Sequence, residues 1–161
     1  MPDTQQKFHS AKGKRLILIA EDEMINREEL IAAAKEAREH AYCPYSQYMV
    51  GAAVLGTDGK IYTGCNIENA SYGMTVCAER TAIFKMVSEG CRTFRALAVY
   101  TNGDGSDGGP CLACRQVMTE FCLDFDVPVI DASPQAVWEH TMKELCPLPF
   151  VMFEKNPDYH E

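Results

Sequence analysis

The chain has 161 residues, enough for one domain that buries about 68–70% of its unfolded surface without disulfide or metal staples. At 47% hydrophobic and 24% charged residues it is neither disordered nor fibrous. Its longest apolar runs, such as Leu16-Ile17-Leu18-Ile19-Ala20, fall far short of the roughly 20 residues that span a bilayer. The opening Met-Pro-Asp-Thr-Gln-Gln-Lys has no basic patch leading into an apolar stretch, so no secretory signal is expected. The expected setting is cytoplasmic, with no membrane partner. Fifteen Lys and Arg against 23 Asp and Glu give a net charge of −8. That is the wrong sign for a nucleic-acid binder, whose affinity comes from basic groups on phosphates, and a small ligand fits better.

In chain order, residues 1–25 stand apart. Arg15 to Leu30 resembles the opening of a response-regulator receiver domain, a buried strand ending in an acidic pair. Nothing after Leu30 continues that pattern, so 1–25 reads as an N-terminal extension outside the catalytic core. Asn26, with Glu29 three residues on, predicts a helix start. Leu30, Ala34, Ala37 and Ala41 continue at helical spacing until Pro44 ends the element. Val50, Ala52 and Val54 alternate as a strand, Asp58-Gly59 makes a hairpin turn, and 61–67 returns as a second strand. A helix is expected over 76–88 with Gly90 as its stop, then a strand over 96–100. The glycine-rich loop 102–109 leads into a helix over 112–122, and a strand is expected over 127–131. Ser133-Pro134 looks like an N-cap followed by a first-turn proline, predicting a helix to about Leu145. Trp138 and Met142, one turn apart in that helix, read as core or interface. The pattern predicts a three-layer α/β/α sandwich with a mixed sheet of about five strands, and a single domain over 26–155 followed by a tail over 156–161.

The chain carries eight cysteines, at 43, 65, 77, 91, 111, 114, 122 and 146. In a reducing compartment these are buried hydrophobes, metal ligands or nucleophiles. Cys77 opens one predicted helix, and Cys111-Leu-Ala-Cys114 opens another. A Cys-x-x-Cys pair with a distant third cysteine is a zinc signature, and the positive end of a helix favours thiolate at all three positions. No fourth protein ligand lies at a usual spacing. Three ligands and an open position suit a catalytic zinc, and the alternative is a structural four-cysteine site that recruits one of the others. Glu79, two residues after Cys77, can reach a water at the open position and act as its base; otherwise it is a first-turn acid favoured by the helix dipole.

The segments Tyr45-Ser-Gln-Tyr-Met-Val-Gly-Ala-Ala53, Asn66-Ile-Glu-Asn-Ala-Ser-Tyr-Gly-Met-Thr-Val-Cys-Ala-Glu-Arg-Thr-Ala82, Pro110-Cys-Leu-Ala-Cys-Arg-Gln116 and Glu144-Leu-Cys-Pro-Leu-Pro-Phe150 together resemble the homotetrameric zinc-dependent cytidine deaminases, over roughly residues 28–153. The resemblance implies hydrolytic deamination of cytidine and deoxycytidine to the uridines plus ammonia, in pyrimidine salvage. It implies one Zn²⁺ per chain on Cys77, Cys111 and Cys114. Glu79 would shuttle protons between a zinc-bound hydroxide, the ring nitrogen and the departing ammonia. Asn66 and Glu68 would hold the ribose hydroxyls, although an Asn-x-Glu on a strand is by itself more often a solvated face. Backbone around Ala78 would meet the base edge, and Phe150 would reach the pyrimidine from a neighbouring subunit. Arg80 would draw charge from a cysteine sulfur, since three thiolates on a divalent cation leave a net −1; its alternative is a surface ion pair. Tyr48-Met49 stands where the family usually has Phe-Pro, so Tyr48 would bring a ring and an added hydroxyl to the sugar. A zinc deaminase acting on an altered aminonucleoside, and a silent zinc-structured homologue, are the rival readings.

Overall fold

The computed structural model describes residues 25–151 and, as backbone, a two-residue strand at Phe8–His9 (β1). The rest of the expected extension, most of the receiver-like stretch, and the tail over 156–161 lie outside the described residues. The remaining elements are α1 (Arg27–Arg38), β2 (Val50–Gly56), β3 (Ile61–Cys65), α2 (Ala78–Ser88), β4 (Phe94–Thr101), α3 (Leu112–Phe121), β5 (Pro128–Ala132), β6 (Val137–Thr141) and α4 (Met142–Leu145). They form one mixed sheet in the order β1-β6-β5-β4-β2-β3. Among the described residues β4–β5 and β1–β6 run parallel, and β2–β3, β2–β4 and β5–β6 are antiparallel.

The helix over α1 begins as its residues dictate: Asn26 Oδ1 accepts a hydrogen bond from the Glu29 amide at 3.1 Å, satisfying one of the free donors of the first turn. It stops six residues before Pro44. The amides of Glu39, His40 and Ala41 bond three residues back, tightening the last turn, and Tyr42 then pairs with the chain at Ile67. At the other stop signal Gly90 adopts φ +99°, which a side chain would resist. The Gly90 and Cys91 amides close back on Val87 and Met86.

Alternation along the strands divides the core into two. Leu30 and Ala34 of α1 pack with Ala53, Ala98, Tyr100 and Ile130 on one face. On the other, Ala82, Ile83 and Met86 of α2 and Met118 of α3 pack with Val54, Leu97 and Val129. This is the expected three-layer sandwich. Two glycines set its spacing. A Cβ on Gly51 would overlap the Ala34 carbonyl of α1, and one on Gly64 would overlap the Ala82 amide of α2. The backbones of sheet and helix therefore touch on both faces, and α2 is held at a fixed depth.

One predicted element is wrong in kind. The helix expected from Ser133 to about Leu145 is a turn, strand β6 and the single turn α4. Ser133 Oγ does accept from the Gln135 and Ala136 amides at 3.2 Å, but these bonds close a four-residue turn in which the Ser133 amide reaches Ala136 O. The β-favouring Val137, Trp138 and Thr141 then pair with β5, Asp131 directly opposite Trp138. The real helix start lies at Thr141, where Thr141 and Glu144 cap each other reciprocally.

Candidate active site

The carboxyl ends of β3, β4 and β5 and the start of β2 meet at one end of the sheet, where a cavity of about 410 Å³ opens. Two helix N-termini point at it. Cys77 is the N-cap of α2 and Cys111 the N-cap of α3, and neither sulfur is spent on a cap hydrogen bond. Cys114, one turn into α3, is fully buried. The Cys77 and Cys111 sulfurs are 3.8 Å apart and those of Cys111 and Cys114 are 3.4 Å apart. A tetrahedral zinc with bonds of about 2.3 Å separates its sulfurs by about 3.8 Å, so the three residues fit the metal. No fourth cysteine or histidine among the described residues joins them. Cys122, at the far end of α3, turns its sulfur to Thr119 O instead, which removes the four-cysteine alternative there. Hydrogen bonding from Cys114, together with Arg80 and Cys111, brings the Cys77 thiol down to about 5, which favours the thiolate form that a metal requires.

Glu79 is 4% exposed and lines the cavity beside Cys77 and Ala78. Burial pushes its carboxyl up to about 7, with the neighbouring Cys77 charge adding to the effect. Arg80 lies behind the cysteines: its Nη2 donates to Thr75 O at 3.1 Å and approaches Cys77 Sγ at 3.8 Å. It is no surface ion pair.

The expected sugar residues divide. Asn66 lines the cavity, but its amide also bridges backbone: Oδ1 accepts from the Val50 amide at 2.9 Å and Nδ2 donates to Tyr48 O at 2.8 Å. It thereby holds Tyr48, whose ring borders the same cavity. Glu68 does not border it. Its Oε2 accepts from the Tyr45 and Ser46 amides at 2.8 and 3.2 Å, and Ser46, by its hydroxyl first, keeps the carboxyl below the usual carboxylate range. Phe150 is likewise absent from its own chain's cavity. Gln116 grips its backbone from both sides, at 3.2 and 2.6 Å, leaving the ring 76% exposed.

Sequence reasoning missed the opposite wall. Asp131, Ser133, Ala136 and Trp138 of the β5–β6 hairpin line the cavity together with the glycine-rich loop. The alternation of Val129, Asp131 and of Trp138, His140 on one hairpin face is the available signal, and the cap-like Ser133-Pro134 between them masks it.

The sequence model of the cytidine and deoxycytidylate deaminase zinc-binding region matches residues 24–128. A cytidine deaminase of Halalkalibacterium halodurans is 48% identical over 133 residues, covering 82% of this chain and 99% of that one. A cytidine deaminase of Sporosarcina psychrophila is 62% identical over 95 residues, 59% of this chain and 69% of its own. The crystal structure of cytidine deaminase from Burkholderia pseudomallei superposes with a TM-score of 0.72 at 44% identity, covering 78% of this chain and all of that one. Fold, metal-fitting cysteines and sequence agree: this chain belongs to the zinc-binding cytidine and deoxycytidylate deaminase family.

Proposed function

We propose that this chain deaminates cytidine and deoxycytidine by hydrolysis in pyrimidine salvage, the C4–N4 bond breaking and a C4–O bond forming with release of ammonia. The observation that carries it is Glu79, a buried carboxyl on the wall of a cavity that also holds three metal-fitting sulfurs. Cys77, Cys111 and Cys114 would hold the zinc, which would supply the Lewis acidity that makes a water nucleophilic near neutral pH. Glu79 takes the first proton of that water and delivers it to the pyrimidine ring nitrogen, then carries the proton of the new C4 hydroxyl to the amino group, which leaves as ammonia. The Ala78 backbone meets the base edge, Tyr48 and Asn66 the sugar, and Arg80 offsets thiolate charge at Cys77. Glu68 serves the sugar side by holding the 45–46 turn. Among the described residues none that lines the cavity is a lysine or arginine, and two, Glu79 and Asp131, are acids. A phosphate dianion has no partner there, which favours a nucleoside over a nucleotide.

Loss of cytosine absorbance on adding zinc-loaded protein to cytidine and deoxycytidine tests the reading. Turnover of both, with deoxycytidylate far slower, is expected. No change with one zinc bound per chain would overturn it in favour of an altered substrate or a silent homologue. Arg80→Gln is expected to lower kcat about 10-fold, within the range of groups that support metal ligands, while zinc stays at one per chain; unchanged kinetics would remove the role given to Arg80.

The pocket is completed in a homotetramer. Leu112, Tyr72, Met74 and Leu148 are all more than half exposed, the first three within five residues of a metal-fitting cysteine, and the exposed Phe150 ring is available to a neighbour's pocket. Sedimentation should give four chains, and Phe150→Ala should raise KM. A fully active monomer would sink this assembly.

A further inference from the structure

The loop 102–109, Asn-Gly-Asp-Gly-Ser-Asp-Gly-Gly, has no apolar side chain with which to pack itself into place. Four glycines make its unpinned ensemble wide and its ordering costly. Yet Gly103, Gly105, Ser106, Gly108 and Gly109 all line the catalytic cavity. Its position comes from one face of the β5–β6 hairpin, which holds every second residue. Trp138 Nε1 donates to Gly105 O at 3.0 Å. His140 Nε2 meets Asp107 Oδ1 at 2.6 Å. Asp131 Oδ2 accepts from the Gly109 amide at 3.0 Å. At the first of these points contact is also steric: Gly105 sits at φ +83° with its Cβ direction against Gln135.

We infer that Asp131, Trp138 and His140 are positioning residues that hold the 102–109 loop as the second wall of the substrate cavity, and so set how tightly a nucleoside is enclosed. The inference rests on the cavity being the nucleoside site. The acid–base carboxyl and two of the metal-fitting cysteines, Cys77 and Cys114, lie on α2 and α3, off the pinned loop, so loosening the wall acts on substrate binding before it acts on chemistry.

Trp138 is the only tryptophan in the chain, and it both lines the cavity and holds the loop, so its fluorescence reads the wall directly. Uridine, a ligand without a hydrolysable amino group, is the probe. In the wild type, Trp138 emission is expected to change along a saturation curve that matches uridine's inhibition of cytidine turnover. His140→Ala should raise KM for cytidine about 3–10-fold, the worth of one net hydrogen bond, with kcat nearly unchanged and zinc still at one per chain. Asp107→Ala should do the same, and His140→Gln, which keeps a donor for Asp107, should recover most of the loss. Trp138 emission unmoved at uridine concentrations that inhibit turnover would overturn the inference. So would an unchanged KM in both alanine variants, or a fall in kcat without a rise in KM. A wild type that binds uridine with a Trp138 response but does not deaminate cytidine would instead defeat the catalytic reading and leave the wall standing.

Discussion

Glu79→Gln is expected to lower kcat for cytidine by about 10²–10⁴-fold, the range that a positioned acid–base group supplies, while zinc content stays at one per chain. Glutamine fills the same space in the first turn of α2 and cannot carry the proton. Because Glu79 is buried against Ala78 and the cysteines, no neighbouring carboxyl can substitute; Asp131, the other acid on the cavity wall, is engaged by the loop amides of Gly109 and Gly108. Glu79→Ala should lose the same activity and also leave a gap beside the metal. Metal content, thermal stability and single-turnover absorbance on the same samples separate the cases. A Glu79→Gln protein with one zinc and full turnover would show that the carboxyl is only a first-turn acid favoured by the helix dipole.

Cys114→Ser is expected to cost at least about 100-fold in zinc affinity, the upper end of what even groups that merely support ligands cost, and to abolish turnover at ordinary zinc concentrations. Cys114 is the buried member of the three, so its sulfur has no alternative solvation, and serine offers an oxygen poorly suited to a site of thiolates. Chelation of the wild type should reproduce the loss reversibly. Wild-type protein should also melt at higher temperature with zinc than without, by about 4 kcal/mol of extra stability at a thousandfold excess over Kd. Cys114→Ser should lose that increment. Retention of one zinc with unaltered affinity would exclude Cys114 as a ligand.

The parts of the site legible in the sequence were those whose chemistry is local. Cys111-Leu-Ala-Cys114 and Cys77-Ala-Glu79 place the metal-fitting sulfurs and the carboxyl proposed as base within one helical turn each, and a helix N-terminus suits both. Asn26 announced α1 because a cap is a contact between near neighbours. The same locality misled at Ser133, where hydroxyl-to-amide bonds of cap type close a turn as readily as they open a helix; only the pairing of 137–141 with β5 decides. Trp138, His140 and Asp131 escaped for a related reason. Their partners are 33, 33 and 22 positions away, and no pattern along the chain records a contact made across a hairpin and a loop. Glu68 and Phe150 show the converse: a motif names them, while one chain's geometry gives Glu68 a backbone to hold and leaves Phe150 outside the cavity.

The metal cluster joins Cys77 to Cys111 across 34 positions, a span that includes the whole of β4, the strand at the centre of the sheet. These sulfurs lie together because α2 and α3 pack on the same face of the sheet. A metal held by both would cross-link a segment that contains an interior strand, and so would tie the catalytic end of the sheet together as a closed loop. Binding it would favour the folded chain over the unfolded one, in which the two helix ends are far apart.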